Sequence, residues 1–168
     1  LAIAGISALI GCHRDQIIRP EPTEEGATAL ASAINIGDPN AAVQLVKGFH
    51  EIEEHSWRWT MGRFTLIFRS PAGAAQKRTM LTVRGNIPEA VLNKVGAVTL
   101  TALLGQDPVG TITLTKPGAF VLEAPVPSAA LKNETVTFDF VLDKFCPPGT
   151  LDPRELGVIL TYAGLELR

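Results

Sequence analysis

The run Thr135-Val136-Thr137-Phe138-Asp139-Phe140-Val141-Leu142 constrains the fold more than any other part of the chain. Successive side chains of a strand point to opposite faces, so this octet gathers Val136, Phe138, Phe140 and Leu142 on one side. A helix would scatter the same residues around its axis. The alternation recurs. Phe64, Leu66 and Phe68 alternate with Arg63, Thr65, Ile67 and Arg69, and further runs occupy 79–84, 97–104, 110–115, 119–124 and 156–167. Turn signals such as Pro71-Ala72-Gly73 and Gly105-Gln106-Asp107-Pro108 punctuate them at intervals of roughly 8–15 residues. The spacing predicts an all-β fold, an antiparallel β-sandwich or jelly roll of about seven or eight strands, over residues 48–168.

Two other segments precede it. Residues 13–47 read as a spacer and a short, partly helical lead-in. Pro20 and Pro22 favour extended backbone in the spacer, whereas Ala27 to Ile36 suits a short helix ended by Gly37-Asp38-Pro39. Residues 40–47 suit another helical turn or two capped by Asn40. Residues 1–12 form an apolar arm.

The arm carries no charge from Leu1 to Ile10, and it is shorter than the ~20 residues a membrane-spanning helix needs. Leu9-Ile10-Gly11-Cys12 has the form of a bacterial lipobox, with Cys12 as the lipidated residue. If the arm is instead retained, Leu1, Ile3, Ile6, Leu9 and Ile10 are apolar enough for a strand donated to a neighbouring sheet edge, which builds a filament. The two cysteines, Cys12 and Cys146, are then free to form a disulfide in an extracytoplasmic setting. Either route places the protein outside the cytoplasm, and the membrane is reached only through a lipid on Cys12.

A net charge of −2 gives no electrostatic case for nucleic acid. The chain holds no nucleophile elbow, Cys-x-x-Cys pair or glycine-rich phosphate loop, and no carboxylate pair can be assigned to a glycosidic cleft. No catalytic residue and no cofactor are expected. His50, Glu51, Glu53, Glu54 and His55 offer ligand types for a metal, but histidines five apart share neither a strand face nor a helix face. A solvated acidic turn is the simpler reading, without metal.

Four motifs carry a resemblance: Gly48-Phe49-His50-Glu51-Ile52-Glu53, Trp57-Arg58-Trp59, Val126-Pro127-Ser128-Ala129-Ala130-Leu131 and Asp152-Pro153-Arg154-Glu155-Leu156-Gly157. Over residues 48–167 the chain resembles the β-sandwich accessory domains attached to, or encoded near, bacterial envelope-polysaccharide machinery. The resemblance implies a jelly-roll-like sandwich in the carbohydrate-module style, and it implies no activity. Cys146 departs from the pattern.

Within those motifs Trp57 and Trp59 are two apart and share a strand face. They serve either as a stacking platform for sugar rings or as cover for the core. Arg58 points the other way. Glu53, Asp152, Arg154 and Glu155 read as a structural lock, in which the planar fork of Arg154 ties a loop to the sandwich and Glu53 is its partner across the chain. The expected function is a non-enzymatic extracytoplasmic subunit that joins copies of itself into a surface filament through its arm. The alternative is a lipid-anchored carbohydrate-binding module whose partner is a polysaccharide.

Overall fold

The computed structural model describes residues 29–149 and 152–168. Leu1, Ile3, Ile6, Leu9, Ile10 and Cys12 lie outside the described residues, and with them the expectations placed on the arm, on lipidation and on a Cys12–Cys146 disulfide.

Among the described residues the strands are β1 (Ala33–Asn35), β2 (Leu45–Phe49), β3 (Arg58–Arg69), β4 (Thr79–Ile87), β5 (Val98–Leu104), β6 (Asp107–Leu114), β7 (Gly118–Pro125), β8 (Thr135–Leu142) and β9 (Ile159–Leu167). One short helix, α1 (Glu89–Val95), comes after β4. The fold is all-β and antiparallel. One layer runs β1–β9–β4–β7 and the other β3–β8–β5–β6, the nested pairing of a jelly roll. β2 adds to the outside of β3.

Two features draw the layers towards a closed barrel. β3 spans both: Arg58 and Trp59 pair with β9, whereas Arg63 to Arg69 pair with β8. At the far edge β6 approaches β7, and a Cβ on Gly110 would lie 2.5 Å from that of Ala124. Closure of this kind removes exposed strand edges.

The core lies between the layers. β8 contributes Val136, Phe138, Phe140 and Leu142, β3 contributes Phe64, Leu66 and Phe68, and all seven are buried. Phe64 and Phe140, directly paired across the strands, stack at 4.7 Å between ring centroids. Phe49 meets Phe64 edge-on at 5.4 Å, which pins β2 to the same core.

The lead-in differs from the expected helices. The alanines between Ala27 and Ile36 favour a helix, yet Ala33–Asn35 is the first jelly-roll strand, paired with Tyr162 to Gly164 of β9. Tertiary pairing outweighs helix propensity here, because Ile34 and Ile36 gain burial in the core. Pro39–Gln44 does form helical turns, of the 3-10 kind, with Asp38 rather than Asn40 at the cap. The Asp38 carboxylate accepts a hydrogen bond from the Asn40 amide at 2.8 Å. From Leu45 the chain enters β2 instead of continuing as helix.

Gln44, which the residue pattern gives no reason to single out, fastens this lead-in. Its buried amide accepts from Ala31 N at 2.7 Å and donates to Ala31 O at 3.0 Å and to Ile67 O at 2.8 Å.

Candidate functional site

The site grows from two loops that meet beside the start of β3. In the first, the chain leaves β2 and reverses between Glu53 and Trp57, which form an antiparallel bridge. Glu54 and His55 take φ of 50° and 53°, a left-handed conformation uncommon away from glycine. That reversal sets Glu53 and Trp57 directly across from each other. Trp57 and Trp59 are neighbours, with ring centroids 6.3 Å apart and planes crossed at 78°. They do not lie in one plane, so a flat sugar face can stack on one of them at a time. Arg58 between them is buried on the opposite side and donates to Ile36 O and His50 O, each at 3.2 Å.

The second loop precedes β9. Asp152 Oδ1 accepts from the Arg154 amide at 2.9 Å and from its Nε at 3.0 Å, and Oδ2 accepts from a terminal guanidinium nitrogen at 2.9 Å. The other terminal nitrogen donates to Glu53 at 2.7 Å. This is the two-pronged geometry that a planar guanidinium makes with a carboxylate. Hydrogen bonds from Arg154, side chain first and backbone second, hold the Asp152 carboxyl at about 2 against an ordinary 3.8. The same bonds to Asp152 and Glu53 push the Arg154 guanidinium further up.

Glu155 acts elsewhere. Its carboxylate accepts from Gly62 N at 2.7 Å, and its carbonyl oxygen sits 2.6 Å from His50 Nε2. Next to it Leu156 bridges to Cys146, Gly157 N donates to Thr60 O at 2.7 Å, and Val158 N donates to the Thr60 hydroxyl at 3.1 Å.

Between this loop and α1 lies a cleft of about 310 Å³. β3 contributes Trp59, α1 contributes Ala90, Val91 and Lys94, and the second loop contributes Cys146, Pro147, Asp152, Arg154 and Leu156. Trp59 is half-buried and Cys146 is buried. Trp57 does not line the cleft. Trp59, Cys146, Asp152 and Arg154, each conspicuous in the residue pattern, share one concavity. The pattern misses α1, although Pro88-Glu89 at the start and Lys94 before Gly96 at the end are ordinary helix signals.

Among the described residues no three His, Cys, Asp or Glu side chains converge as a metal site would require, and no helix is long and apolar enough to cross a membrane.

No protein-family model matches the chain, and no curated protein does. A solved structure of a family GH115 4-O-methyl-α-glucuronidase, with specificity for decorated arabinogalactans, is similar at a TM-score of 0.42 and 13% identity. The alignment covers 82% of this chain and 18% of that one. A likeness of that size carries no argument about activity.

Proposed function

We propose that this protein is a non-enzymatic carbohydrate-binding jelly-roll module of the bacterial envelope, held at the membrane by a lipid on Cys12. The observation that carries the proposal is the half-buried Trp59 ring lining a 310 Å³ cleft together with the clamped guanidinium of Arg154. Sugar-binding sites pair an apolar ring face with a few fixed polar groups, and this cleft has both. Asp152 and Glu53 are both committed to Arg154, which favours binding over hydrolysis, since hydrolysis needs carboxylates free to face the bond. The likeness to envelope-polysaccharide accessory domains points the same way, and Leu9-Ile10-Gly11-Cys12 supplies the anchor.

The self-assembling filament built through Leu1 to Ile10 rests on residues outside those described. The test is a polysaccharide and glycan panel against the full chain, with Trp59→Ala and Lys94→Glu as variants. Trp59 also packs on the core, so Lys94→Glu, at an exposed position, guards against a loss caused by unfolding. Binding that weakens in both, with unchanged far-ultraviolet circular dichroism, supports the module. Binding unaffected by either variant, or no glycan bound at all, overturns it.

A further inference from the structure

We infer that the sugar residue seated in the Trp59 cleft carries a methyl group, as a deoxy sugar or an acetylated one does. This inference rests on the glycan-binding reading above and narrows it.

The polarity of the walls carries the argument. Ala90 and Val91 of α1, and Cys146, Pro147 and Leu156 of the second loop, are apolar lining residues. The charged side chains of the lining are Lys94, Asp152 and Arg154. Three of the five N–H groups of the Arg154 side chain are taken by Asp152 and Glu53, which leaves two for a ligand. Among the described residues the Lys94 ammonium makes no ion pair.

A fully hydroxylated hexose meets these walls badly. Some of its hydroxyls can be met by Arg154, Asp152 and Lys94. Those turned to Val91, Ala90 and Leu156 give up water and find no partner, which disfavours binding. Replacing such a hydroxyl by a methyl group removes that loss and adds apolar burial. The occupant that suits this lining combines oxygen acceptors for Arg154 and Lys94 with a methyl group for the aliphatic surface.

Calorimetric titration of the full chain tests this with three oligosaccharide classes of matched length: one of glucose or mannose only, one bearing 6-deoxyhexose, and one bearing N-acetylhexosamine. Saturation-transfer NMR on the same complexes shows which ligand protons touch the protein. The expected result is affinity about tenfold or more higher for one methyl-bearing class, with the strongest transfer at its methyl protons. The class that wins separates a deoxy sugar from an acetylated one. Ala90→Asn, at an exposed helix position, then shrinks the preference to within about threefold. Equal affinity for hydroxylated and methyl-bearing chains overturns this inference and leaves the glycan-binding module standing. No binding to any of the three overturns this inference, and the glycan-binding module falls with it only if the full polysaccharide panel is also negative.

Discussion

The Glu155 carboxylate accepts a 2.7 Å hydrogen bond from the backbone amide of Gly62, a residue 93 positions earlier in the chain. Gly62 lies where β3 has left β9 and has not yet met β8, so neither of those strands pairs with it. A buried N–H without an acceptor costs about 1–3 kcal/mol. Glu155→Ala is expected to destabilise the fold by about that amount, and Glu155→Gln, which keeps an acceptor oxygen, by roughly half or less. Urea unfolding of the two variants checks it. Equal losses would mean that charge rather than the acceptor matters.

Gly62 is also fixed by what packs on it. A Cβ there would run into the Phe145 ring. Gly62→Ala should therefore cost about 1–3 kcal/mol through overpacking. The loss should shrink when Phe145 is shortened to Val in the same chain. A double-mutant cycle reads the coupling directly, and strict additivity would place the strain elsewhere.

Asp152 sets the acid limit of the cleft loop. Its carboxyl is held at about 2, below the ordinary 3.8 of the unfolded chain. A depressed carboxyl binds fewer protons in the folded state than in the unfolded one. Its contribution is therefore complete above about pH 4 and fades as pH falls towards 2. The melting temperature of the wild type should exceed that of Asp152→Asn by a constant margin above about pH 4, and the margin should close below it. A margin that persists unchanged to pH 2 would mean that the lock does not depend on the charge of Asp152.

The strands of the core are legible wherever large apolar residues alternate, as in Thr135–Leu142 and in Phe64, Leu66 and Phe68. β1 is not, because Ala31-Ser32-Ala33 carries the composition of a helix, and its strand exists only through β9. Gly164 is the hidden signal: a Cβ there would lie 2.5 Å from that of Ala33, so the partner strand leaves room for this one. At the site, the residue types of Glu53, Trp59, Asp152 and Arg154 stand out in short motifs. Their convergence needs the fold, since 101 positions separate Arg154 from Glu53. The wall supplied by α1 escapes notice because a seven-residue helix holds too few turns for a clear apolar period.

Gln44 offers the sharpest test of how the lead-in is held. One side chain satisfies both backbone groups of Ala31 and the carbonyl of Ile67, and it is itself almost fully buried. Ala31 O also accepts from Arg69 N at 3.0 Å, so its carbonyl keeps a partner if the glutamine is lost. Ala31 N and Ile67 O lose the bonds that Gln44 supplies. Gln44→Leu keeps the approximate volume and removes all three bonds, which predicts a loss of about 2–4 kcal/mol. Gln44→Glu keeps the acceptor for Ala31 N, but turns the donor facing Ile67 O into a second oxygen and buries a carboxyl, so it should be no better at neutral pH. Hydrogen exchange separates local from global effects: in Gln44→Leu the amides of Ala31 and of β1 should exchange faster than those of β8. Uniform acceleration across both would show that the strap contributes to the whole jelly roll rather than to its first strand.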